Sequence, residues 1–238
     1  MAENIQITYV LIPGAYHDPS IFDKLKPLLE EDGNKVIAPD IPTNIQGMTF
    51  EDDAEAISEN LDSGYSYIVS HSRGVNVLPW LLQKGTDRVR HIGATVFSTC
   101  GPKLLLGREN IYKRNHIKPH KNTEGLWEYT PSEANAQFYN QTRAEDLDLA
   151  MSALRPQRTI EADTFKMPPP LPYSFPIQAI EGIDDKIHRW SKVQSSLLEW
   201  AGVTPTRIEG DHTLQLSNKE RLSELIKEHA GVCIAPFL

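Results

Sequence analysis

Cysteine is scarce. Cys100 and Cys233 are the only two in 238 residues and lie far apart, which argues against a disulfide framework and fits a reducing compartment. Long apolar runs are missing too: none approaches the roughly 20 residues a membrane span requires. The opening Met1-Ala2-Glu3-Asn4 has neither a basic nor an apolar leader region, so the expectation is a cytoplasmic protein without a secretion signal. Positive charge is in deficit, with 24 Lys and Arg against 32 Asp and Glu and a net charge of −8. No Lys/Arg run is long enough to argue for nucleic acid, and the sequence has no internal repeat. The expected partners are a small molecule and a second copy in a homodimer, with no nucleic acid and no membrane.

What is present is ordinary globular material, 39% hydrophobic and 24% charged, in a length that suits one sizeable α/β domain. Residues 5–12 read as a buried strand closed by Pro13-Gly14. Residues 19–31 carry an apolar helical face at Ile21, Phe22, Leu25, Leu28 and Leu29, with Asp18 placed to cap it. A strand at 35–38 follows. Thr49 and Asp52 form a capping box for a helix over 50–61. Strands at 65–69 and 91–97 flank a helix over 75–83. Strands alternating with helices imply a parallel sheet buried on both faces. The rhythm breaks near Cys100 and resumes at Ile177, with a strand at 177–181, a helix at 188–200, a strand at 204–208 and a helix at 219–229. The interval 101–174 is expected to be a mostly helical lid inserted in a single domain spanning 1–238, leaving by the Pro168-Pro169-Pro170 stretch.

The strand at 65–69 runs into Ser70-His71-Ser72-Arg73-Gly74 and then into a helix. Strand, sharp turn and helix are the context of a nucleophile elbow, G-x-S-x-G, which needs small residues two before and two after the nucleophile. Gly74 meets the second requirement and Ser70 replaces glycine at the first. By itself S-x-S-x-G is equally a Ser-rich turn, so the remaining groups must support it. A serine nucleophile needs a base, and the base an orienting acid. Ile180-Glu181-Gly182-Ile183-Asp184-Asp185 offers two carboxylates just past a strand, with Asp185 favoured over Asp184. His212 stands just beyond the 204–208 strand. The other seven histidines lack that placement, and His188 is the weak rival. A second oxyanion N–H is expected from Pro13-Gly14-Ala15, at Ala15, beside the N–H of Arg73. Gly14, Tyr16, His17 and the lid residue Trp127 are candidates for lining the substrate site, with Tyr129, Phe138 and Tyr139 as further lid aromatics. The basic stretch 113–121 is either a solvated lid face or a surface that meets an anionic substrate.

These pieces together resemble the α/β-hydrolase superfamily, and within it the small esterase group of plant methylesterases, hydroxynitrile lyases and their bacterial and fungal relatives. Val10-Leu11-Ile12-Pro13-Gly14-Ala15-Tyr16-His17 is similar to the group's V-L-x-H-G-A-x-H opening, with Pro13 for the usual histidine. Gly210-Asp211-His212-Thr213-Leu214-Gln215-Leu216-Ser217 is similar to its G-D-H-x-L-Q-L-[ST] segment. Residues 138–139, 144–146 and 154–157 resemble the lid of bacterial members. The resemblance implies the α/β-hydrolase fold, a Ser72–His212–Asp185 triad, and a serine esterase cleaving a small carboxylic ester, lactone or amide without cofactor or metal. The lyase members rely on a lysine after the catalytic histidine and a threonine in the oxyanion loop. Those positions are Thr213 and Gly14 here, which points away from cyanohydrin cleavage. A ligand-binding receptor and a cofactor-free lyase or oxygenase are the alternative uses of the same fold.

Overall fold

The computed structural model describes residues 5–84, 89–101, 115–158, 169–172 and 174–238. Six strands, β1 (Ile7–Ile12), β2 (Lys35–Ile37), β3 (Gly64–His71), β4 (Val89–Phe97), β7 (Ile177–Gly182) and β8 (Thr206–Ile208), form one sheet in the order β2-β1-β3-β4-β7-β8. Every neighbouring pair is parallel. Parallel strands need crossovers, and the crossovers cover both faces of the sheet. Alternate side chains therefore enter two separate cores. Tyr9, Leu11, Tyr67 and Val69 pack on one face with Leu222, Ile226 and Ala230. Val10, Ile12, Ile68 and Val96 pack on the other with Ala54, Ile57, Leu78 and Leu81. Each aliphatic side chain removed fully from water in this way contributes about 1.5–3 kcal/mol.

The helices are α1 (Lys26–Glu30), α2 (Phe50–Ser58), α3 (Leu78–Gln83), α4 (Pro131–Phe138), α5 (Ala144–Ser152), α6 (Trp190–Ala201), α7 (Leu214–Ser217) and α8 (Lys219–Ile234). The Thr49/Asp52 capping box at α2 is present, and Asp18 caps a turn by accepting from the Ser20 N–H at 2.8 Å. Several expected helix bounds are corrected, among them the end of α2 at Ser58 rather than residue 61. The helix expected over 19–31 is split into a 3-10 turn, Pro19–Phe22, and the short α1, because Pro27 has no N–H to carry a helix through. The helix expected from Val75 starts as a 3-10 turn, Ser72–Asn76, and becomes α3 only at Leu78. The helix expected from His188 starts at Trp190, because the Ile187 and His188 N–H groups are drawn to the Asp185 carboxylate. At the other end α8 outruns its expected stop at His229, continuing its buried face through Ala230, Cys233 and Ile234.

Between β4 and β7 the described chain holds α4, α5 and an antiparallel ribbon of β5 (His120–Lys121) and β6 (Trp127–Glu128). The ribbon was not expected from the sequence. This segment is tied to loops at the carboxyl ends of the strands. Asp18 N–H donates to Ala153 O at 2.9 Å, and Arg155 N–H to Tyr16 O at 2.9 Å. Gln141 N–H donates to Asp211 Oδ2 at 2.8 Å, and Thr142 Oγ1 lies 3.3 Å from Thr213 Oγ1. Residues 102–114, 159–168 and 173 of the expected lid, including Lys113, Arg114 and Pro168, lie outside the described residues. Among the described residues, no helix is long and apolar enough to cross a membrane.

Candidate active site

Four strands of the parallel sheet end at one edge, and the loops leaving β1, β3, β7 and β8 meet there. Loops at this edge are where α/β sheets build sites. Ser72 is the first residue past β3 and has φ 48°. A left-handed serine is strained by about 1–3 kcal/mol, and the strain persists because the chain must reverse from strand to helix within one residue. Gly74 makes that reversal possible: a Cβ there would stand 2.9 Å from the carbonyl oxygens of both Ile12 and Pro13. The small residue demanded two after Ser72 is thus demanded by β1, not by the elbow alone.

Ser72, His212 and Asp185 come together. Ser72 Oγ is 3.1 Å from His212 Nε2, and His212 Nδ1 is 2.8 Å from Asp185 Oδ2. With Nδ1–H donating to the carboxylate, Nε2 is left to accept the serine proton. The second oxygen of Asp185 accepts the Ile187 N–H at 2.6 Å and the His188 N–H at 3.3 Å. Burial alone would raise the Asp185 pKa; the charge of His212 and its hydrogen bond, with His188 nearby, overcome this and hold the carboxyl far below the usual carboxylate range. Asp184 is different in kind. It is exposed and bonds through its backbone: its N–H donates to Gly210 O at 3.0 Å and its carbonyl accepts from Asn140 Nδ2 at 3.3 Å.

The loop expected to carry the second oxyanion donor leaves β1. A Cβ on Gly14 would stand 2.7 Å from His71 Nδ1 and 3.1 Å from Ser72 Cβ, so the loop passes directly against the elbow. Ala15 follows, and Tyr16 is held at φ 65°. The Arg73 N–H is in the first turn of the 3-10 segment, where no helical carbonyl is available to it. Thr99 Oγ1 donates to the Ser72 carbonyl at 3.0 Å, steadying the strained residue.

The candidate lining residues separate. The Tyr16 ring meets Tyr129 edge-on at 4.8 Å and Phe138 at 6.4 Å, and Phe138 meets His212 at 5.8 Å. Among the described aromatics of the segment between β4 and β7, Phe138 is the one whose ring packs on His212, although the sequence offers it only as one of several. His17 does not offer a ring nitrogen to a ligand. Its Nδ1–H donates to Ala15 O at 2.8 Å and its Nε2 accepts the Tyr139 hydroxyl at 2.5 Å, so it joins the loop after β1 to the segment between β4 and β7. Trp127 sits on the ribbon, with Lys121 Nζ 5.2 Å from its ring and a paired backbone with Gln157. In the described part of the basic stretch, His120 faces Glu128 and Glu133 and Lys121 lies over Trp127.

Asp185, His188 and His212 place one ligand atom each within 4.8 Å of one another. A divalent cation held by this set would take the His212 Nδ1 lone pair and displace the proton that now binds Asp185. The donors can hold a metal only by dismantling the His212–Asp185 bond.

No protein-family model matches the chain, and a search of curated proteins finds no match. Solved structures do match. A pyrethroid hydrolase from Sphingobium faniae JZ-2 is 23% identical with a TM-score of 0.76, covering 98% of each chain. A methylesterase from Arabidopsis is 19% identical with a TM-score of 0.74, covering 95% of this chain and 99% of that one. Tomato methylketone synthase I, as a His-to-Ala variant complexed with β-ketoheptanoate, is 16% identical with a TM-score of 0.72, covering 98% and 100%. These likenesses establish the α/β-hydrolase fold, as expected from the sequence. They span more than one chemistry, so the reaction has to be argued from the site.

Proposed function

We propose that this protein is a serine hydrolase cleaving a small carboxylic ester, with Ser72 as nucleophile, His212 as general base and acid, and Asp185 as orienting acid. One observation carries the reading: the unbroken hydrogen-bond path from Ser72 Oγ through both nitrogens of His212 to Asp185 Oδ2. Ser72 Oγ bonds to the ester carbonyl carbon as its proton passes to His212 Nε2. The N–H groups of Ala15 and Arg73 receive the oxyanion. Collapse breaks the ester C–O bond, and the departing alkoxide takes the proton from His212. Water then attacks the acyl-serine, giving one proton to His212 and returning it to Ser72, which leaves the free acid. Asp185, held ionised by its neighbours, keeps His212 in the Nδ1–H tautomer and stabilises the imidazolium.

The segment between β4 and β7 serves as the lid of a single domain. Its hydrogen bonds and contacts with Tyr16, Asp18, Asp211 and Thr213, all in loops at the sheet edge that carries Ser72, support this reading. Two free, buried thiols suit a cytoplasmic setting. Cyanohydrin cleavage is disfavoured on geometric grounds. A threonine side chain at position 14 has no space beside His71, and Thr213 Oγ1 is engaged with Asp211 Oδ1 at 2.9 Å and with the Phe138 carbonyl at 3.2 Å.

The test uses short-chain p-nitrophenyl esters together with a phosphonylating serine reagent. The expected result is ester turnover, stoichiometric labelling of Ser72, and loss of both in Ser72→Ala with circular dichroism unchanged. Turnover that survives in Ser72→Ala would remove the serine from its role.

A further inference from the structure

One corner of the segment between β4 and β7 meets the loops that carry the site. It runs from Phe138, the last residue of α4, to Thr142, shortly before α5. The Phe138 ring packs on His212 at 5.8 Å, and the Phe138 carbonyl lies 3.2 Å from Thr213 Oγ1. The Tyr139 hydroxyl donates at 2.5 Å to His17, on the loop after β1. Asn140 Nδ2 donates at 3.3 Å to the carbonyl of Asp184, the residue before Asp185. The Gln141 N–H and the Thr142 hydroxyl both donate to Asp211 Oδ2, at 2.8 and 3.1 Å. Asp211 is the residue before His212.

Asp211 divides its carboxylate between two segments. Oδ2 faces the corner. Oδ1 accepts the Thr213 N–H at 2.9 Å and lies 2.9 Å from Thr213 Oγ1, which fixes the turn that has His212 at its centre. Asp211 is fully buried, and its own N–H donates to Ser217 Oγ at 3.1 Å. A buried carboxylate is tolerated only while donors fill its acceptor sites. If the corner moves away, Oδ2 loses the Gln141 and Thr142 donors and has to turn toward others. Oδ1 turns with it, because both oxygens belong to one rigid plane. The turn bearing His212 then loosens, and with it the 3.1 Å approach of His212 Nε2 to Ser72 Oγ.

We propose that Asp211 is a positioning residue that couples the corner 138–142 to His212, so that the imidazole is held in line with Ser72 only while the corner is docked. The inference rests on the hydrolase reading for its kinetic arm, and its exchange arm stands apart from that reading.

The kinetic arm measures steady-state hydrolysis of a p-nitrophenyl ester by Thr142→Val, Thr142→Ser and Asp211→Asn. Valine keeps the shape of threonine without the hydroxyl, and serine keeps the hydroxyl. Asparagine replaces one acceptor oxygen of Asp211 with an NH₂ group that faces other donors. Thr142→Val should lower kcat about tenfold with KM changed less than about twofold, and Thr142→Ser should keep most of the wild-type kcat. Asp211→Asn should lower kcat about a hundredfold; if it does not fold, the two Thr142 variants decide alone. The exchange arm follows amide hydrogen exchange by mass spectrometry in wild type, Thr142→Val and Thr142→Ser. In Thr142→Val the peptide holding 209–217 should exchange about tenfold faster, with peptides from β3 and β4 unmoved, and Thr142→Ser should match the wild type. If the wild type turns over no ester and Ser72 is not labelled, the hydrolase reading fails, and the exchange arm still decides whether the corner holds the loop of His212. Equal kcat in Thr142→Val and Thr142→Ser, a loss confined to KM, or unchanged exchange over 209–217 in Thr142→Val would overturn the proposal and leave Asp211 as a tie of the fold alone.

Discussion

His71 donates its Nε2–H to the carbonyl oxygen of His212 at 3.0 Å. The residue before the proposed nucleophile therefore holds the backbone of the proposed base. The His71 ring stacks on Phe97 at 4.8 Å, and burial, reinforced by the charge of His212, pushes its pKa well below 6.5. Burial keeps its ring neutral well below the ordinary histidine range, so the role assigned to it is positional. His71→Leu should keep the stacking and lose the bond. The expected outcome is a kcat reduced about ten- to a hundredfold, the order that small misplacement costs, with KM changed little, in steady-state ester hydrolysis.

The two acids after β7 differ in their surroundings. Asp185→Asn should lower kcat by about 10⁴, as loss of the orienting carboxylate does in serine triads. Asp184→Asn should stay within a few-fold, because its exposed side chain has no part in the hydrogen-bond path to Ser72. Rate measurements on both variants, each checked for an unchanged Tm, decide between them; the reverse ranking would move the acid one residue upstream.

Position 14 is closed to side chains by His71. Gly14→Thr is expected to displace the oxyanion loop and cost 10²–10³ in ester kcat, the size of a lost oxyanion donor. The double variant Gly14→Thr/Thr213→Lys should release no cyanide from mandelonitrile. Measurable cyanide release from it would show that the two positions alone decide between the chemistries.

His17 links stability to pH. Burial lowers its pKa from 6.5 to about 4, with the bond to Ala15 opposing only in part. An unfolded chain takes up a proton below about pH 6.5 that the folded chain refuses until about pH 4. The unfolded state binds more protons throughout that window, so stability falls as pH is lowered across it. The loss is on the order of 3 kcal/mol for this residue. His91, also buried and lowered to about 4, adds to the same decline. Urea unfolding at pH 7 and at pH 4.5 should show it, and His17→Gln should have a shallower slope. A slope unchanged in that variant would mean that His17 is not the group responsible.

How far the chain specifies itself can be seen in particular residues. The alternation of apolar strands with helices, the Thr49/Asp52 box, the parallel sheet and the order serine, acid, histidine follow from local chemistry. Strand burial, capping and turn demands are properties of short segments, so they are open to reading along the chain. Chain order also singles out His212, the histidine just beyond the 204–208 strand, and the fold brings it to 3.1 Å from Ser72 Oγ. The tertiary structure decided everything that depends on which distant groups share a volume. His17 is a candidate ligand in the sequence and a loop-to-lid tie in the fold, because Tyr139, 122 residues away, takes its second nitrogen. Arg73 is one cation among 24 in the sequence. Only the fold sets it beside Asp53, at 3.4 Å, with Arg158 on the same carboxylate oxygen at 2.8 Å. Asp184 and Asp185 are alike as letters; the turn after β7 exposes one and closes the other in with His212. Periodicity carries the fold because each element buries its own face against water, whereas desolvation and charge pairing depend on neighbours that the chain brings together only by folding.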